Sequence, residues 1–82
     1  MIIIHPHCRE RMEERGVTEE EVNIAVNSGE RFPAKYNRTG FRLNLTKKGV
    51  WQNRVYGAKQ IEIFAVKEGS NWVIITVIAK YF

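Results

Sequence analysis

Ahead of residue 30 the apolar residues recur every three or four positions, and from residue 41 they recur at every second position. That single change of period constrains the fold more than any other feature of the chain. It predicts helices first and strands after, the α+β class: a short N-terminal strand, two helices, then a mainly antiparallel sheet of four to five strands with the helices on one face. Ile2, Ile3 and Ile4 read as the first strand. Pro6 suits the first turn of a helix, where its missing N–H costs nothing, and Gly16 suits the position just past that helix's end. Thr18 and Glu21 form a capping box, with Val17 and Val22 placed as a hydrophobic staple. Val22, Ala25 and Val26 make the buried stripe of this second helix, which ends at Asn27-Ser28-Gly29.

In the strand half, Phe41, Leu43 and Leu45 alternate with Arg42, Asn44 and Thr46. Lys47-Lys48-Gly49 reads as a turn, residues 51–56 as one strand closed by Gly57, and residues 60–67 as another. Glu68-Gly69-Ser70-Asn71 is a hairpin loop. Residues 30–36 read as a further strand that Pro33 confines to an edge or a bulge. Residues 72–81 form the longest and most apolar strand, so β-prone that it belongs at the sheet's centre, because an exposed edge of that kind aggregates. Strict alternation puts Thr76 and Lys80 on one face with Trp72, Ile74 and Ile78. The other face, Val73, Ile75, Val77, Ala79 and Tyr81, is expected to pack on the helices.

With 82 residues the chain suffices for one domain, 1–82, with a thin core that a second copy covering part of the surface would suit. A lone cysteine, Cys8, allows no internal disulfide. The N-terminal apolar run is too short for a signal peptide and residues 72–79 too short for a membrane helix, so the cytoplasm is expected and no membrane partner. The net charge of +4 is unevenly spread: residues 1–30 carry −4 and residues 31–82 carry +8, and all nine aromatic residues follow residue 31. A basic, aromatic-rich half fits a nucleic-acid partner, and it equally fits an ordinary sheet with a soluble outer face. There is no Asp, and seven of the nine Glu fall at positions 10–30. A metal-dependent nuclease is therefore disfavoured. His5, His7 and Cys8 offer one cluster of zinc-type ligands without a second pair, so no metal and no cofactor are expected.

The sharpest constellation is His7, Arg11 and Arg15, spaced i, i+4, i+8 and falling within roughly 80° of one another on a helix. Imidazole transfers protons near neutral pH, and guanidinium grips phosphate in a planar, bidentate way. The plainer alternative is a polar helix start followed by arginines paired with neighbouring acids. Thr76 and Lys80 on the last strand, and Arg42, Arg54 and Lys59 on the strands before it, are further candidates, each of which equally fits a β-former or a solvated charge.

The stretch His7-x-x-x-Arg11-Met12-x-x-Arg15-Gly16-Val17-Thr18-x-Glu20-Glu21-Val22 resembles the opening of a widespread bacterial domain of unknown function. Lys59-Gln60-Ile61-Glu62-Ile63, Ile75-Thr76-Val77 and Lys80-Tyr81 resemble its end. That domain is grouped by similarity with the RelE and barnase–EndoU–colicin ribonucleases, many of them toxins of toxin–antitoxin pairs. The resemblance covers residues 2–29 and 59–82. It implies a RelE-like or microbial-ribonuclease-like fold, with His7 as acid or base, Arg11 and Arg15 as phosphate or structural groups, and Thr76 and Lys80 near the same site. His5 competes with His7 for the acid–base role.

Three expectations follow. The first is a metal-independent endoribonuclease in which the RNA 2′-hydroxyl attacks the adjacent phosphate, His7 moves the proton, and Arg11, Arg15 and a sheet cation stabilise the transition state. The second is a non-catalytic module binding single-stranded nucleic acid through Arg42, Arg54 and Lys59. The third is a protein-interaction domain whose basic face meets an acidic, antitoxin-like partner.

Overall fold

The computed structural model describes residues 1–46 and 49–82; Lys47 and Lys48, where the sequence predicts a turn, lie outside them. The α+β class holds. The elements are β1 (Ile2–Ile4), α1 (Pro6–Arg15), α2 (Glu19–Ser28), β2 (Glu30–Pro33), β3 (Thr39–Leu45), β4 (Gly49–Trp51), β5 (Arg54–Tyr56), β6 (Lys59–Glu68) and β7 (Asn71–Tyr81). Five strands form one sheet in the order β1-β7-β6-β3-β2, while β4 and β5 form a separate two-stranded ribbon. Every pairing is antiparallel except β1 on β7, which is parallel.

The helix ends follow from their residues. His5 caps α1, its Nδ1 accepting the His7 backbone N–H at 3.2 Å, and Pro6 fills the first turn. Gly16 adopts φ 72°, and the N–H groups of Gly16 and Val17 turn back to the carbonyls of Glu13 and Met12, closing the helix as a Schellman motif. In α2 the Thr18 hydroxyl accepts the Glu21 N–H and the Glu21 carboxylate accepts the Thr18 N–H, the reciprocal capping box. Both helices bury one stripe against the same face of the sheet. Cys8 and Met12 from α1 and Val22, Ala25 and Val26 from α2 meet Phe41, Ile61, Ile63, Ala65, Ile74 and Val77.

The last strand departs from strict alternation. The register of β6 and β7 shifts between Phe64 and Ala65, where Thr76 opposes Phe64 and Ile74 opposes Ala65, so Ile75 is the extra residue of a β-bulge. The helix-facing set is therefore Ile74 with Trp72 before the bulge, then Val77 and Ala79 after it. Two of those four were expected on the opposite face. The bulge also lets one strand present apolar side chains inward along its whole length. β7 is central only in part, since β1 covers its outer edge at Trp72, Val73 and Ile74 and no further.

Residues 51–56 form a hairpin and not one strand. β4 and β5 meet through Gln52-Asn53, both at positive φ, the pattern of a type I′ turn. Tyr36-Asn37 joins β2 to β3 in the same way, and Gly69-Ser70 joins β6 to β7 with the positive φ on its glycine. β2 is an edge strand ending at Pro33, as expected. No helix among the described residues is long and apolar enough to cross a membrane.

Gly29 sits where α2 meets β3. A Cβ there would lie 2.5 Å from the Ala25 carbonyl oxygen and 2.7 Å from that of Arg42, both backbone atoms that cannot swing aside. Gly29→Ala is expected to destabilise the fold by about 2 kcal/mol, within the range of overpacked sites, read from the urea midpoint.

Candidate functional site

His7, Arg11 and Arg15 do share one stripe of α1, but at 1.5 Å of rise per residue the stripe runs about 12 Å from first to last. The three side chains meet different surroundings. His7 is exposed and stacks on His5, ring centroids 5.4 Å apart. Arg11 is exposed and pairs with Glu14 at 3.4 Å. Arg15 is half-buried and donates to the Val77 carbonyl oxygen on the outer edge of β7.

The sheet candidates separate further. Thr76 and Lys80 follow the bulge on the face turned away from the helices, so the structure does not bring them to His7. Lys80 lies 3.9 Å from Glu62. Arg42 points to that same far face, 3.1 Å from Glu62 and 3.7 Å from Glu30, with its guanidinium over the Phe32 ring. Lys59 is corrected outright as a surface phosphate contact. It is 6% exposed, its ammonium 2.8 and 2.9 Å from the two Glu21 carboxylate oxygens and bonded to the Gly16 carbonyl. Strand alternation turns Lys59 to the same face as Ile61 and Ile63, under the corner between the helices, where an ammonium needs a carboxylate.

Around that corner the chain builds a clamp. The Tyr81 hydroxyl donates to the Arg15 carbonyl, one of the free carbonyls at the end of α1. Lys59 lies over the Tyr81 ring, 5.6 Å from its centroid. Burial pushes the Tyr81 phenol above its ordinary pKa, with Tyr56 and the Glu21 carboxylate adding to the rise.

Beside the clamp opens a cleft of about 660 Å³ between the end of α1, the β4–β5 ribbon and the end of β7. Arg15, Arg54, Gln52, Tyr56, Tyr81 and Glu14 line it. The Tyr56 and Tyr81 rings meet edge to face at 4.9 Å. Glu14 is engaged by Arg11, whereas Arg54 is exposed and makes no ion pair among the described residues. Of the sequence candidates, the cleft brings together Arg15 and Arg54 alone. Tyr56, Tyr81 and Gln52 were missed, because aromatics on strands read as packing and the hairpin that presents Gln52 was not visible. Among the described residues no three His, Cys, Asp or Glu side chains converge as a metal site would require.

A five-stranded sheet backed by two N-terminal helices, with arginines and tyrosines around a corner cleft, defines a small α+β domain built to hold a ligand at one end of its sheet. The chain belongs to the family described as DUF4258, a domain of unknown function, whose pattern matches residues 4–79. No curated protein and no solved structure gave a significant match.

Two outcomes test the clamp. Glu21→Ala removes the carboxylate from a buried ammonium and is expected to cost about 3–5 kcal/mol, read by urea unfolding, with the double change Glu21→Leu/Lys59→Met costing less than that single one. Because the Tyr81 pKa is raised in the folded state, its contribution is complete below the unfolded phenol value near 10 and is lost as pH rises above it. Melting temperature should therefore fall above about pH 10, more steeply in the parent chain than in Tyr81→Phe.

Proposed function

We propose that the chain is a binding module for single-stranded RNA, with the cleft between α1 and the β4–β5 ribbon as its principal contact. The observation that carries this reading is the pairing of Arg15 and Arg54 with two tyrosine rings in one concavity. Guanidinium suits phosphate, and tyrosine rings offer bases a face on which to stack without regard to sequence. Elsewhere the cations are largely engaged: Arg9 with Glu19, Arg11 with Glu14, Arg42 and Lys80 with Glu62, and Lys59 with Glu21.

The resemblance to RelE and the barnase–EndoU–colicin ribonucleases would add cleavage, with His7 transferring the proton. Geometry favours binding over cleavage. His7 is not among the residues lining the cleft and stands about two helical turns from Arg15 along α1. Tyr81, the cleft's most perturbed acid, already donates its proton to a structural carbonyl.

The test is fluorescence anisotropy with a labelled single-stranded RNA dodecamer in EDTA, followed by a gel of the same sample. Arg54→Ala should weaken binding about 5–10-fold and lower the salt slope by about 1, while His7→Ala leaves both unchanged and the RNA stays intact. RNA cut by the parent chain and spared by His7→Ala would replace this proposal with the metal-independent ribonuclease.

A further inference from the structure

β1 pairs with the outer edge of β7 at Trp72, Val73 and Ile74 only. Past the bulge, β7 continues to Tyr81 with no strand beside it on that side among the described residues. The direction of its backbone groups follows from the ladder. Phe82 and Ala58 exchange both N–H···O bonds, so in the antiparallel alternation Lys80 and Ile78 bond toward β6 while Ala79 and Val77 turn outward. Arg15 binding the Val77 carbonyl from the outer side agrees with that parity. Ala79 therefore directs both its N–H and its C=O away from β6, and it lines the cleft. An open β edge is a template for another strand unless something covers it.

We infer that this edge accepts an extended segment of an acidic partner protein as an added strand, entering the cleft beside Ala79. Main-chain bonds to Ala79 would supply the pairing, and alternate side chains of the guest would face Arg15 and Arg54. Charge selects the guest's chemistry. Two arginines flank the edge, and the one carboxylate among the lining residues, Glu14, is already held by Arg11. Charge also argues against a second copy of this chain. A two-fold pairing through β7 would set the same patch against itself, Arg15 and Arg54 meeting Arg15 and Arg54. The inference rests on the strand edge and the cleft, and does not require that RNA binds.

The probe is a blocked hexapeptide of alternating Glu and Val, titrated into the ¹⁵N-labelled chain. Controls are two versions N-methylated on one or the other alternate set of amides, and a version with Lys in place of Glu. The parent peptide should shift the Ala79 amide signal and slow its hydrogen exchange at least tenfold. One of the two N-methylated peptides and the Lys peptide should bind at least tenfold more weakly, and Arg54→Ala several-fold more weakly. An Ala79 amide indifferent to millimolar peptide would overturn the inference, as would N-methylated peptides that both bind like the parent. Single-stranded RNA slowing Ala79 exchange as strongly as the peptide would also overturn it. RNA anisotropy that persists while Ala79 ignores the peptide would sink this inference alone and leave the RNA reading standing.

Discussion

The ammonium of Lys59 is held in the interior by the Glu21 carboxylate and the Gly16 carbonyl, and the architecture of the functional end depends on that contact. An unpaired ammonium there would cost several kcal/mol, so the turn between the helices is obliged to stay over the first residue of β6. With the turn fixed, the end of α1 lies along β7, the Arg15 guanidinium reaches the Val77 carbonyl, and the Tyr81 hydroxyl reaches the Arg15 carbonyl. One wall of the cleft is thus a by-product of neutralising a buried charge. Glu21 serves twice, because the same carboxylate closes the capping box of α2. Helix initiation and helix–sheet docking are coupled through one side chain.

The charge distribution is resolved in a way that linear composition does not express. The first thirty residues are acidic and the remainder basic, which suggests two faces of opposite sign. Folding instead interleaves them: Glu21 from the acidic half holds Lys59, and Glu30 approaches Arg42. Other positive charges rest on aromatic rings, as Arg31 and Lys67 do at Trp72 and Arg38 does at Tyr36. What distinguishes the cleft is the exposed Arg54 beside Arg15, a local imbalance and not an overall excess.

Features written in neighbouring residues were legible in the sequence. Gly16, Thr18 and Glu21 specify the helix boundaries through bonds spanning three to five residues, and Phe41, Leu43 and Leu45 announce their strand by spacing alone. Features that depend on partners distant in sequence were not. Gln52-Asn53 and Tyr36-Asn37 take up left-handed turns without a glycine to mark them, so the ribbon read as a single strand. Lys59 looks like a soluble lysine until β6 is laid under the helix corner. The candidate site was half visible for the same reason. Arg15 and Arg54 could be named as phosphate-binding types, but their meeting, and the exclusion of His7 from the cleft, are matters of tertiary geometry. The residues on which the resemblance rests, Arg15, Gly16, Glu21, Lys59 and Tyr81, largely build the clamp, so similarity in this region reports first on how the helices dock.

The bulge at Ile75 also governs which length changes the chain can tolerate. Losing that one residue would restore simple alternation and rotate everything after it by half a turn, sending Thr76, Ile78 and Lys80 inward while Val77, Ala79 and Tyr81 faced outward. Tyr81 would then lose its hold on α1, and a lysine would lie beneath the helices without a carboxylate to receive it. Drift in this strand must therefore proceed by paired insertions or deletions, whereas the Gly69-Ser70 loop at its start, where both residues are exposed, is free of that even-number rule.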